Sequence, residues 1–239
     1  MRNNMSSKVA GQGFSRGASE RQGAAMRDRR SSPAHAWMPP EGGPESTCPL
    51  YSREGLRKYL NHEERRRLLA TLSSFTTEQR LFLLTLFWTG ARISEVLGVR
   101  GCDVQAADGR LVLRTLKRRR TVFREVPIPP TLASSLAETY PALRDTITAT
   151  SARRLWPWHR STAWRLVHHA MMLAHIAGRQ ASPRGLRHGF AIATLRAGVP
   201  LTLLQRWLGH ARLSTTALYV GFAGPDETEL ARKVWRQAA

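Results

Sequence analysis

Acidic residues are scarce in this chain. Its 239 residues hold 17 Asp and Glu against 37 Lys and Arg, a formal net charge of +20 at pH 7. A folded protein this short of acid meets a polyanion, and nucleic acid is the usual one; composition alone leaves a ribosomal or merely solvated basic protein equally open. Cysteine is nearly absent: Cys48 and Cys102 form no metal-ligand pattern and no disulfide framework, which fits a reducing cytoplasm. Long apolar runs are missing too. The longest, "LFLLTLFW" at 81–88, has the length of a core helix segment and not of a membrane span. The basic N-terminus has no apolar stretch of the kind a secretory signal needs. Carboxylates nowhere cluster as they would to hold a divalent ion, so no metal and no other cofactor is expected. No internal repeat is evident. What the chain does have is 42% apolar residues, enough to bury a sizeable core.

Residues 1–50 differ from the rest. They are rich in Gly, Ser, Arg and Pro, lack apolar periodicity, and read as a disordered basic arm or linker. Met26 and Met38 both remain open as the true start. This segment carries seven basic and four acidic residues, so the remaining 189 hold a net +17 and are themselves the basic object. From residue 51 the helical signals are strong. Asn61 with Glu64, and Thr76 with Gln79, have capping-box spacing, and Gly90 is placed to close the second helix. "ARISEVLGV" reads as a short helix packed through Ile93, Val96 and Leu97. "RLVLRTL" and "TVFREVPI" then alternate with a period of two around "KRRR", a hairpin with a basic tip ended by Pro129–Pro130. Helical periodicity returns at about 131–139, 161–177, 184–197, 200–208, 213–219 and 226–236. The fold class this predicts is mainly α with a small β-hairpin or sheet (α+β), spanning 51–239.

Several polar residues interrupt these apolar patterns, each at a junction where side chains from different elements can converge. Arg92 follows "WTGA", Lys117 sits at the hairpin tip, and "SPRGLRHGF" presents Arg184, Arg187 and His188 around a helix start. His210 follows "WLG", and Tyr219 stands nine positions further on. Such a set suits phosphoryl transfer at DNA. Two arginines can clamp the non-bridging oxygens of a phosphodiester under attack. A tyrosine hydroxyl can attack it covalently, and a lysine can protonate the leaving 5′-oxygen. Taken singly the residues have plainer readings: His210 as a helix-cap histidine, Tyr219 as core, His188 as a hydrogen-bonded structural histidine. Glu95 reads as a structural carboxylate placed to pair with a buried basic group, and Asp103 as a cap or turn residue.

The boxes "TGARISEVLGV", "LKRRR", "SPRGLRHGFA" and "LQRWLGHARLSTTALY", in that order, resemble the tyrosine recombinases of the phage-integrase family over about residues 55–239. The resemblance implies that Arg92 and Arg187 clamp the scissile phosphate. It gives Lys117, or a neighbour in "KRRR", the general-acid role, with Arg118 and Arg119 as phosphate contacts. His210 then supports phosphate and nucleophile, and Tyr219 attacks. It implies duplex DNA as partner, a tetramer of this chain on that DNA, and no membrane. Two positions depart from the family pattern. The residue three before the second arginine is usually histidine, sometimes lysine; here it is Arg184, which cannot accept a proton but can bind phosphate and lower the tyrosine's pKa. Family members also usually carry a separate N-terminal helical domain, for which residues 1–50 are too short. A site-specific recombinase or integrase is the leading expectation. A catalytically weak DNA-binding accessory or regulatory protein of the same fold stays open beside it, as does a topoisomerase that swivels strands with the same residues. His188 is a further candidate for phosphate or DNA contact, and for proton work.

Overall fold

The computed structural model describes residues 50–115, 122–140 and 152–223. The expected arm at 1–50, apart from Leu50, lies outside the described residues. So do the amphipathic segment at 226–236 and the hairpin tip with Lys117, Arg118 and Arg119. Helix α1 (His62–Thr71) begins at a reciprocal capping box: Glu64 N–H donates to Asn61 Oδ1 at 2.8 Å while Asn61 N–H donates to Glu64 Oε2 at 2.9 Å. Helix α2 (Thr77–Thr89) starts the same way with Thr76 and Gln79. It is the central element, with Leu81, Phe82, Leu83, Leu86 and Phe87 all buried. Thr85 and Thr89 are buried beside them because each hydroxyl donates to the carbonyl one turn back, at 2.8 and 2.6 Å. Helices α4 (Pro130–Thr139) and α6 (Pro183–Arg196) flank α2. A four-residue helix, α3 (Ile93–Val96), buries Ile93 and Val96 as expected.

The hairpin is part of a three-stranded antiparallel sheet, ordered β1 (Val104–Gln105), β2 (Arg110–Thr115), β3 (Val122–Pro127). Strand β1, with two residues, is too short to show alternation in a sequence. Leu111 pairs with Val126, Leu113 with Arg124 and Thr115 with Val122. Leu111, Leu113 and Thr115 face inward, and so does Arg124, only 6% exposed. The register thus carries a guanidinium into the core side of the sheet.

Helix α5 (Arg160–Leu173) stops earlier than the periodicity predicts. Ile176 N–H bonds Met171 O at 2.9 Å and His175 N–H bonds Met172 O at 3.0 Å, a Schellman closure with His175 in the left-handed region at φ 53°. Glycine is the usual residue there, so the sequence pattern carries no stop signal at this position. Helix α7 (Leu201–Leu208) ends at Gly209, φ 67°. The span expected as one helix at 213–219 is instead α8 (Ser214–Ala217) and α9 (Val220–Ala223), with Tyr219 between them. A second buried cluster joins Leu50, Phe190, Ala191, Ile192, Leu204 and Leu208 to Tyr219. Among the described residues, no helix is long and apolar enough to cross a membrane.

Gly90 makes the turn that leads from α2 into the site. Its φ is 59°, and a Cβ added there would lie 2.2 Å from Phe190 Cδ1. Gly90→Ala therefore combines left-handed strain with displacement of a buried ring, and should lower unfolding free energy by about 2 kcal/mol or more. Urea unfolding checks this; an unchanged midpoint would mean that Phe190 does not restrict the turn.

Candidate active site

Five of the residues singled out from the sequence converge on one end of α6. Arg92 occupies the N-cap of α3, directly after the Gly90 turn. Its backbone N–H donates to Glu95 Oε2 at 3.0 Å and its Nη1 to Glu95 Oε1 at 2.8 Å. Glu95 also accepts Arg124 Nη2 at 2.6 Å. Arg124 extends further, from Nη1 to Thr115 Oγ1 at 2.8 Å and from Nε to Trp207 O at 2.7 Å. One carboxylate therefore joins α3, the sheet and the end of α7. Burial pushes the Glu95 carboxyl up, but Arg124 and the Arg92 groups outweigh it and hold it below the usual carboxylate range. The expectation that Glu95 pairs with a buried basic group is met by Arg124. Gly209 keeps this junction open, since a Cβ there would stand 3.1 Å from Arg124 Nη1.

Arg187 sits in α6, whose N-cap Ser182 accepts the N–H of Gly185 at 3.1 Å. It is 7% exposed. Its Nη1 donates to Gly90 O and its Nη2 to Leu208 O, both at 2.7 Å. Nη2 also lies 3.1 Å from His210 Nε2. A guanidinium has no acceptor, so Nε2 must offer its lone pair and His210 carries its proton on Nδ1. That nitrogen lies 3.0 Å from Thr216 Oγ1, which accepts it. Burial, then Arg92 close by, push Arg187 down to about 10, which leaves it charged at neutral pH. Burial, followed by Arg187 and Arg92, pushes His210 down to about 4, so it is neutral there.

Tyr219 is 3% exposed. Its ring lies parallel to His210 at 6.5 Å between centroids, and its hydroxyl is 2.8 Å from His188 Nδ1. Burial raises the phenol's pKa, and the lowering by Arg187, Arg184 and Arg92 does not cancel it. The sequence expectation that Arg184 lowers this pKa is right in direction for that one cation and wrong for the net result, because desolvation of the phenolate wins. Arg184 itself is exposed on the first turn of α6. His188 is hydrogen-bonded, as its plainer reading expects, and its partner is the Tyr219 hydroxyl.

Arg124 was not singled out. Its signal is a charged residue on the inward face of an alternating strand, between Val122 and Val126, which demands a buried counter-charge.

A mainly helical domain with a three-stranded antiparallel sheet, and two arginines, two histidines and a tyrosine at one end of a helix, has the fold of tyrosine recombinase catalytic domains. It superposes on a crystal structure of XerA recombinase with a TM-score of 0.55 and 27% identity, over 75% of this chain and 62% of that one. The Tn1549 transposon integrase, solved in complex with transposon right end DNA, shares the fold at a TM-score of 0.55 and 18% identity, over 76% and 66% of the two chains. The sequence is 32% identical to the tyrosine recombinase XerA of Thermococcus kodakarensis over 168 residues, 69% of this chain and 58% of that protein. The chain therefore spans little more than half the length of this relative. The phage integrase family's sequence profile matches residues 58–223, and the chain belongs to that family.

Glu95→Ala would leave Arg124 buried without its counter-ion. It should destabilise the domain by about 3–5 kcal/mol, read by denaturant unfolding. A loss below 1 kcal/mol would show that Arg124 turns to solvent freely. The histidines set a second expectation. Their folded pKa values near 4 lie below the usual 6.5, so the stability they contribute is full above pH 6.5 and is lost as pH falls towards 4. The unfolding midpoint should drop across that window. The drop should be smaller in a His188→Gln/His210→Gln double variant, with calorimetry at stepped pH as the measurement.

Proposed function

We propose that this domain cleaves and rejoins duplex DNA through a covalent 3′-phosphotyrosine on Tyr219, as a site-specific recombinase acting in a tetramer of this chain. The observation that carries the reading is the placement of a buried tyrosine hydroxyl within the field of Arg92, Arg184 and Arg187, on a chain of the phage integrase family. In the reaction Arg92 and Arg187 neutralise the charge that develops on the non-bridging oxygens, and Tyr219 Oη attacks phosphorus. Three bonds of Arg187 run to neutral acceptors, so its charge remains available to the phosphate. The role of protonating the 5′-oxygen falls to Lys117, with Arg118 and Arg119 on flanking phosphates, by the family resemblance. His210 supports the phosphate through Arg187, which its Nε2 holds in place, and Arg184 adds a cation at the rim. Rejoining reverses the same steps, and the phosphotyrosine keeps the bond energy, so no nucleotide cofactor is required. The net charge and the DNA complex of the Tn1549 integrase support duplex DNA as partner.

Tyr219→Phe removes the nucleophile and keeps the ring in the buried cluster that includes Leu204 and Leu208. It should abolish covalent adducts on a library of nicked duplexes, scored as SDS-resistant protein–DNA bands, while retaining duplex binding that weakens steeply with salt. Adducts at the wild-type level in this variant would rule Tyr219 out. Salt-sensitive binding without any adduct from the wild type would instead make the protein a DNA-binding accessory of the same fold.

A further inference from the structure

We propose that His188 takes the proton of Tyr219 during strand cleavage and gives it back during rejoining, a role resting on the recombinase reading above. The contact is direct: His188 Nδ1 lies 2.8 Å from Tyr219 Oη, with the ring centroids 5.7 Å apart. Among the described residues it is the only side chain in hydrogen-bond contact with that hydroxyl. The alternatives fail on chemistry. Arg184 has no lone pair to receive a proton. His210 has committed its Nε2 lone pair to Arg187 and its Nδ1 proton to Thr216. The hydroxyl itself is buried, with its pKa raised, so it does not ionise unaided near neutral pH.

Position explains why His188 can act. It follows Arg187 in α6, so the helix that carries the phosphate clamp also carries the base. Among the described residues, the titratable groups that act on it or touch it are Arg184 and Arg187 on α6, Lys58 from the segment before α1, His210 from the turn after α7, and Tyr219 from the α8–α9 junction. Burial, then Arg184, Arg187 and Lys58, hold the imidazole down to about 4, so its lone pair is free at neutral pH. A bound phosphodiester brings negative charge beside those same arginines. It raises the proton affinity of His188 at the moment the tyrosine must lose its proton. The far nitrogen, Nε2, is buried with no hydrogen-bond partner among the described residues. Among the described residues the ring therefore has no onward path, and a proton taken at Nδ1 is retained for the reverse step.

The step balances. Tyr219 Oη forms its bond to phosphorus as the bond from phosphorus to the 5′-oxygen breaks. The hydroxyl proton moves to His188 Nδ1, giving an imidazolium. The 5′-oxygen takes a separate proton from a cationic acid, the role assigned above to Lys117. Rejoining returns both protons, and nothing is oxidised or reduced.

The test compares wild type with His188→Asn, whose side-chain oxygen can accept the hydroxyl's hydrogen bond but not its proton. His188→Gln serves if the first variant does not fold by circular dichroism. Duplex binding should stay within about threefold. Single-turnover adduct formation on a nicked suicide substrate should fall about 100-fold at pH 7, within the usual range for loss of a general base. The residual rate should climb with pH from 7 to 9, while the wild-type rate levels off. A substrate with sulfur in place of the leaving 5′-oxygen needs no acid, so the variant should stay slow on it; recovery there would put His188 on the leaving-group side and overturn the proposal. Nitrogen-15 NMR of the full-length free protein should show Nδ1 without a proton, with a signal that shifts in Tyr219→Phe; a protonated Nδ1 would also overturn it. Wild-type adducts with equal rates and pH profiles in the variant remove the proposal alone. No adduct from the wild type on any nicked duplex removes the recombinase reading and the proposal with it.

Discussion

Glu95 is the constraint on which the site depends. Its carboxylate is completely buried and receives two guanidinium groups from different elements, Arg92 at 2.8 Å and Arg124 at 2.6 Å. Without it, two like charges would stand in a poorly solvated space with nothing to hold them together. With it, Arg92 is fixed at the start of α3 while its side chain stays partly exposed, and Arg124 reaches on to Trp207 O at the end of α7. The loop that carries His210 is thereby tied to the sheet and to the turn after α2. A single buried acid in a chain so poor in acid does the work of three separate tethers.

Much of this was legible in the sequence, and the reasons differ by element. Asn61 with Glu64 and Thr76 with Gln79 announce α1 and α2 because a cap is a local interaction between residues three apart. Gly90 and Gly209 announce left-handed helix ends because few other residues adopt that conformation readily. His175 adopts it too, and nothing in its neighbourhood advertises the fact, so α5 ends before its apolar periodicity does. Strand β1 pairs two residues, below the length at which alternation means anything. Tyr219 was read as ending one short helix, whereas the chain breaks around it. The site's arginines, His210 and Tyr219 were legible as an ordered set of boxes. The contact between His188 and Tyr219 joins residues 31 apart, and no local pattern reports it.

The charges left around Tyr219 explain why a partner base matters to the proposed reaction. Arg92, Arg124 and Arg187 act on His210, Arg184 acts on His188 and Tyr219, and Glu95 is paired with Arg92 and Arg124, so the cluster keeps most of its positive charge. Arg187 is satisfied by two carbonyls and an imidazole rather than by an acid, which meets its hydrogen-bonding needs without cancelling its charge. The same field acts oppositely on its two neighbours. It disfavours a proton on His188 and favours loss of one from Tyr219, while burial disfavours the charged form of both. In the free protein burial prevails at the tyrosine, and the proton rests on oxygen. An arriving phosphodiester partly cancels the arginine field. This weakens the electrostatic help to the phenolate and strengthens the imidazole as an acceptor, so the proton's easiest course changes from simple ionisation to transfer across the 2.8 Å contact. In the proposed reaction, coupling deprotonation to phosphate binding in this way keeps Tyr219 protonated until a phosphodiester is in place, which leaves unbound phenolate out of the resting state of the site.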